Sequence, residues 1–227
     1  MENHKQQEVK FDKDFFRRCC WLVVGLFVMA FGVALSIKAG IGTTPISSLP
    51  YVVSLFTPLS VGMITICMHV FFILLQILIL RKDYKPFQLI QFPIAVIFGF
   101  LTDFALWVFS WVEPSNYIEQ WIVCIIGIIV VGIGVTIEVK SNVTVLAGEG
   151  VSLAVCQKTK LKFSTMKIIF DVSLVVTACI LSLIFLHGIQ GVREGTVVAA
   201  LCVGLVVKGV NKLLEKLAPS KTADAKI

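Results

Sequence analysis

Six charged side chains lie within long apolar segments of the sequence or at their ends. They are Lys38, Asp103, Glu138, Lys140, Glu149 and Asp171. A charged group is expensive in hydrocarbon, so such residues usually face a protein interior, a water-filled cavity or a partner. The sequence contains no phosphate-binding loop, HExxH helix, GxSxG elbow or Cys/His metal cluster. The chemistry predicted for these groups is therefore ion binding and proton transfer, without enzymatic catalysis, cofactor or metal.

Each charged group has a functional and a structural interpretation. Asp103 and Glu149 are the predicted coupling residues for a proton or cation, and the alternative for Asp103 is a hydrogen-bonded tie between helices. Lys38 and Lys140 would hold an anion together, or each would extend to its own membrane interface. Asp171 lies near the start of an apolar segment, where its carboxylate could simply reach the interface.

Two polar interruptions, KAGIGTTPISSLP from Lys38 and SNVTVLAGEGVSL from Ser141, follow apolar segments. Non-helical backbone survives at membrane depth only where protein or water satisfies its polar groups. We expect short helices at 45–56 and 149–157 after the breaks, with exposed N–H groups at their starts. The alternative is that both breaks are surface loops of ordinary turn formers. The predicted solute-binding residues are Lys38, Gly40, Gly42, Thr43, Thr44, Ser47, Lys140, Asn142, Gly148, Glu149, Gly150 and Ser152.

The elements that would position these residues are membrane-spanning helices. Of the 227 residues, 57% are hydrophobic and 15% are charged, and the mean hydropathy is +0.93. A crossing helix needs about 20 mostly apolar residues. This requirement predicts six spans, at 18–38, 60–80, 88–112, 121–139, 166–187 and 194–213. The fold class is therefore all-α integral membrane protein, with one membrane domain over 1–227 and no second, soluble domain.

The basic residues predict the orientation. If the N-terminus is cytoplasmic, every lysine and arginine except Lys38 and Arg193 falls in a cytoplasmic segment or beside one. The positive-inside rule then places both termini in the cytoplasm, which agrees with an even number of spans. The net charge of +6 is explained by this orientation, so we expect the lipid bilayer as a partner and no nucleic acid.

An internal repeat divides the chain into halves at 16–112 and 121–215. Gly25 matches Gly127, Gly32 matches Gly134 and Lys38 matches Lys140, all at an offset of 102. A two-residue insertion then aligns Ser48-Leu49 with Ser152-Leu153. Because each half holds three spans, the second half must enter the membrane from the opposite side, which predicts an inverted-topology repeat.

Three blocks of the sequence resemble a known family. They are KAGIGTTPISSLPYVVS, TPLSVGMITICMHVFFILLQILILR and REGTVVAALCVG. With these blocks the chain resembles the YczE/YyaS/YitT-type bacterial membrane proteins over nearly its whole length. The resemblance implies a six-span protein of the bacterial inner membrane, from a family without a settled biochemical activity.

Paired interruptions at matching places in two halves indicate the midplane site of a transporter. The sequence therefore favours a small secondary transporter or channel-like carrier of a small polar or anionic solute. One alternative is a membrane accessory protein that docks a second copy of itself or another membrane protein through small-residue faces. Another is the substrate-binding subunit of a vitamin importer with separate ATPase partners.

Overall fold

The computed structural model describes residues 14–159 and 161–217, and every long element in these ranges is a helix. Several lysines on which the predicted orientation depends lie outside the described residues, before residue 14, at 160 and after 217. The orientation of the chain in the membrane therefore stays a prediction.

Six long helices in the described part of the chain are apolar enough to cross a membrane, so the chain has the architecture of a multi-pass membrane protein. They are α1 (Phe15–Lys38), α3 (Val61–Leu80), α4 (Gln91–Val108), α5 (Tyr117–Ser141), α7 (Phe163–Leu186) and α8 (Glu194–Leu217). The six spans predicted from hydropathy are confirmed, with ends that differ by a few residues. Two turns of 3-10 helix, Arg81–Asp83 and Pro86–Ile90, join α3 to α4.

Two short helices follow the interruptions, as predicted. They are α2 (Pro45–Ser54) and α6 (Ala147–Lys158). Thr44 is extended and Pro45 occupies the first position of α2, where its missing N–H has no helical partner to lose. Gly42 before it has a φ of +105°, a backbone conformation that favours glycine. At the second break, Asn142 ends α5 in the left-handed conformation.

The order of long, short, long and long helix occurs twice along the chain. The first three helices of the second half start 102 residues after their counterparts, and α8 starts 103 residues after α4. The offset of the glycine matches thus continues through α3 and α7. The two-residue insertion inferred from the Ser-Leu match stays a prediction, because equal helix starts do not fix which residues correspond.

The antiparallel pair of α1 and α5 forms the centre of the fold. A β-carbon on Gly25 would lie 3.1 Å from the carbonyl oxygen of Gly134, and one on Gly32 would lie 2.8 Å from that of Gly127. Residue numbers rise along α1 while they fall along α5, so the helices run in opposite directions. Their backbones approach this closely because glycine has no side chain.

The remaining helices pack around this pair. Helix α4 packs on α1, and α8 packs on α5. Each short helix lies on a long helix of the other half, α2 on α7 and α6 on α3. Helices α3 and α4 touch where Gly62 faces the carbonyl of Gly99, whereas α7 and α8 have little direct contact.

Candidate functional site

Both interruptions are buried inside the protein. In the first break, Ala39, Ile41 and Thr43 have no exposed surface, and in the second break Val143 and Leu146 are buried. Only Gly40 and Asn142, at the ends of α1 and α5, are exposed. The breaks are therefore not surface loops, and their polar backbone groups must find partners within the protein.

The first turns of the two short helices meet. A β-carbon on Gly148 of α6 would lie 2.5 Å from the Cδ1 atom of Ile46 of α2 and 3.5 Å from the ring of Phe170. Ile46 also packs on the apolar cluster that contains Ala147 and Val151. Glycine at 148 thus lets the two helix starts approach within side-chain contact.

Hydroxyl groups line the start of α2. Thr44 donates to the Oγ atom of Ser47 over 2.9 Å, and Ser48 donates to the carbonyl of Pro45 over 2.7 Å. Within the described part of the chain, the buried hydroxyl of Thr43 has no hydrogen-bond partner. This end of the site is polar and carries no formal charge.

The start of α6 is held by a buried carboxylate and an amide. Oε1 of Glu138, on α5, accepts from the N–H of Leu146 over 3.0 Å, which gives a backbone donor at the helix start a buried acceptor. Gln76 of α3 donates through Nε2 to the carbonyl of Ala147 over 3.1 Å. Gly150 leaves room for the carboxamide of Gln76, because a β-carbon on residue 150 would lie 2.6 Å from the Oε1 atom of Gln76.

Four charged groups gather beside this second break. Lys167 and Asp171 of α7 form an ion pair of 2.9 Å, both act electrostatically on the carboxylate of Glu149, and Lys167 also acts on Glu138. Because the one lysine is already paired with Asp171, the two glutamates share less than one full counter-charge. Burying a carboxylate without a counter-charge is costly, which favours a proton or cation as its partner here.

The two repeat-related lysines are not brought together. Nζ of Lys38 donates to the carbonyl of Ser110, just past the end of α4, over 3.4 Å. Lys140 is exposed near the end of α5. Because α1 and α5 are antiparallel, the two lysines lie at opposite ends of the molecule, an arrangement that matches the interface alternative and not a joint anion site.

Asp103 joins two helices away from both breaks. Its Oδ2 atom accepts from the hydroxyl of Ser60 over 2.5 Å, and Oδ1 accepts from the N–H of Gly62 over 2.7 Å. Both donors belong to the start of α3, so the carboxylate of α4 caps that helix. This geometry is the interhelical tie, and a coupling role for Asp103 stays a prediction.

The other predicted site residues take backbone and packing positions. The carbonyl of Gly40 accepts from Arg193 over 3.4 Å, and Gly42 packs against Thr196. The carbonyl of Asn142 accepts from Arg18 over 3.4 Å. Ser152 donates to the carbonyl of Gly148 over 3.5 Å. None of these contacts tests whether the residues bind a solute.

Sequence reasoning missed three contributors to this site. Glu138 was noted as a charged residue but was not assigned to the break, because its partner Leu146 follows in a segment of irregular backbone. The spacing of four between Lys167 and Asp171 on a helix was a usable signal for an ion pair. Ile46 carried no signal, since it is one apolar residue among many.

The model of a family of unknown function, DUF6198, matches residues 16–212. No curated protein and no solved structure shows significant similarity. The likeness to the YczE/YyaS/YitT-type proteins stays a prediction.

Proposed function

We propose that this chain, which belongs to the DUF6198 family of unknown function, is a small secondary transporter of the bacterial inner membrane. It would carry a small polar solute through a site between the starts of α2 and α6. The contact between Ile46 and Gly148 carries the proposal, because it joins two buried, interrupted segments from different halves of the chain. Paired interruptions of this kind mark solute sites in transporters built from repeats.

The packing of α1 on α5 supports an inverted repeat. Gly25 packs on Gly134, and Gly32 packs on Gly127. In the sequence repeat, however, Gly25 corresponds to Gly127 and Gly32 to Gly134, so each glycine packs on the counterpart of the other. Reciprocal contacts are the signature of a two-fold axis between identical surfaces. For two antiparallel spanning helices, this axis would lie in the membrane plane.

The charge of the site bears on the class of solute. Glu138, Glu149 and Asp171 supply three carboxyl groups, against Lys167 beside them and Arg18 on the neighbouring carbonyl of Asn142. Helix starts favour anions, but here Glu149 already occupies the first turn of α6. We therefore favour a cationic solute, or a neutral polar solute carried with a proton, over an anionic one.

Proteoliposome flux tests the proposal. Purified protein would be reconstituted with a pH-sensitive dye inside and exposed to a panel of organic cations, amino acids and sugars. We expect saturable uptake coupled to proton movement. In Glu149→Gln, uptake should fall about ten-fold, the scale of losing roughly 1.4 kcal/mol of interaction with a charged partner. Glu113→Gln, which changes an exposed acid far along the chain from both breaks, is the matched control.

Other outcomes identify the alternatives. Tight solute binding without flux would favour the subunit of a vitamin importer. A co-purifying membrane protein, with neither binding nor flux, would favour the accessory role. The double variant Lys38→Ala, Lys140→Ala could instead lose uptake while Glu149→Gln keeps it. That result would favour an anionic solute and contradict a site built on carboxylates.

A further inference from the structure

A set of contacts closes the first break at one end of the molecule. We call it the Arg193 latch, and its members are Gly40, Ile41, Tyr117, Arg193, Glu194 and Gly195. The N–H of Gly195 donates to the carbonyl of Ile41 over 2.8 Å, and Arg193 donates to the carbonyl of Gly40 over 3.4 Å. The start of α8 is thereby fastened to the backbone between α1 and α2.

The latch also reaches α5. Glu194 accepts from the hydroxyl of Tyr117 over 3.2 Å and forms an ion pair of 3.3 Å with Arg193. Beneath these groups, Gly42 packs on Thr196, with no space for a side chain between them. Three parts of the chain, the first break and the starts of α5 and α8, are therefore joined directly before the buried Thr43 and Thr44 in the sequence.

The other end of the molecule is fastened differently. Since α8 starts 103 residues after α4, the position that corresponds to Arg193 is occupied by Ile90, which cannot form an ion pair. At that end Thr144 and Val145 of the second break are partly exposed, and so is Glu149. There Arg18 of α1 donates to the carbonyl of Asn142 over 3.4 Å, so both breaks are fastened, and the second break keeps the larger exposed surface.

The members of the latch suit a contact that must open and close. The side chains of Arg193 and Glu194 are 45% and 40% exposed. Exposed ion pairs contribute little to stability, because water and salt compete for both partners. The ion pair of the latch can therefore be released at low cost, whereas the buried N–H of Gly195 and carbonyl of Ile41 must exchange their hydrogen bond for another partner.

We propose that the Arg193 latch is the gate on its side of the membrane, closed in this structure, and that its release exposes the start of α2. This inference rests on the proposed transport function, because it supplies one of the two gates that alternating access requires. The structure then corresponds to the state in which the site is reached from the end that holds Val145.

Cysteine accessibility tests the gate without any solute. All seven native cysteines are free and would first be replaced. Ser47→Cys then reports on the latch side and Val145→Cys on the opposite side, each labelled with a membrane-impermeant maleimide in right-side-out and inverted vesicles. Combining Ser47→Cys with Arg193→Ala and Glu194→Gln should raise its labelling rate from the latch side roughly three-fold, the scale of an exposed ion pair. Labelling of Val145→Cys should fall.

Controls separate gating from misfolding. Glu113→Gln should leave both labelling rates unchanged. A short thiol cross-linker that joins Tyr117→Cys to Glu194→Cys should keep the latch closed. Ser47→Cys should then stay unlabelled from the latch side, even when Arg193→Ala is present. Unchanged labelling of Ser47→Cys in the folded latch variants would overturn the gate. If that occurred in a protein that carries solute, the transport proposal would stand and only the latch would fail. Altered labelling without flux would support the latch movement and count against transport.

Discussion

Removal of the Asp103 carboxylate should destabilise the protein through the start of α3. Asp103→Ala deletes acceptors for the Ser60 hydroxyl and the Gly62 N–H, which lie 2.5 and 2.7 Å from the carboxylate oxygens. A hydrogen bond to a charged group contributes about 1.5–3 kcal/mol, and the half-buried position of Asp103 argues for the lower value. Ser60 still accepts from the N–H of Met63, so α3 keeps one cap. We expect a loss of about 2–3 kcal/mol.

Thermal unfolding of the detergent-solubilised protein measures this loss. For a chain of this size about 1 kcal/mol shifts the midpoint by roughly 2–4 °C, so Asp103→Ala should unfold about 5–10 °C lower. Asp103→Asn keeps an acceptor for Gly62 and should lose about a third as much. In a double-mutant cycle, Ser60→Ala should cost less in the Asp103→Ala background than alone.

Two results would refute this reasoning about Asp103. If Asp103→Ala unfolded within about 2 °C of the parent protein, below the shift expected for 1 kcal/mol, the two hydrogen bonds would not stabilise α3. If Asp103→Asn kept full stability but lost all flux in proteoliposomes, the coupling prediction would be favoured over the interhelical tie. Glu113→Gln is again the control, because it removes a carboxylate that is exposed.

Four further substitutions test the helix packing and the second break. Gly134→Ala should destabilise the protein by about 1–3 kcal/mol, because its β-carbon would lie 2.5 Å from the backbone nitrogen of Met29. Gly204→Ala, where a β-carbon meets no atom within 4 Å, should instead stabilise α8 by up to about 1 kcal/mol. Thermal unfolding measures both variants. Midpoints that shift in the same direction would contradict the close approach of Gly134 to the backbone of α1. Glu138→Ala should cost about 1–3 kcal/mol, since the buried N–H of Leu146 loses its acceptor, whereas Glu138→Gln keeps an acceptor oxygen and should cost less. Equal midpoints for the two Glu138 variants would show that this hydrogen bond is not the source of the loss.

The long helices and both interruptions were predictable because their causes are local. Apolar runs of spanning length fix the six crossings, and Gly42 and Pro45 end one helix and start the next wherever they occur. The repeat also showed which glycines correspond. These features need no knowledge of which segments meet in space.

The partners of the charged groups were not predictable, because they depend on packing between distant segments. The sequence placed Lys38 and Lys140 at equivalent positions, but only the antiparallel direction of α1 and α5 sends them to opposite ends. Asp103 meets Ser60 from 43 residues away. The meeting of Ile46 with Gly148 likewise requires both halves to be folded.

The offset of 102 shared by the first three helices of each half has a consequence for how the two breaks differ. The positions of Glu138, Glu149, Lys167 and Asp171 correspond, 102 residues earlier, to Ser36, Ser47, Thr65 and His69. The first half therefore carries three hydroxyls and an imidazole where the second half carries three acids and a lysine. Under the proposed transport function, a solute between α2 and α6 would contact hydroxyl groups on one side and ionisable groups on the other.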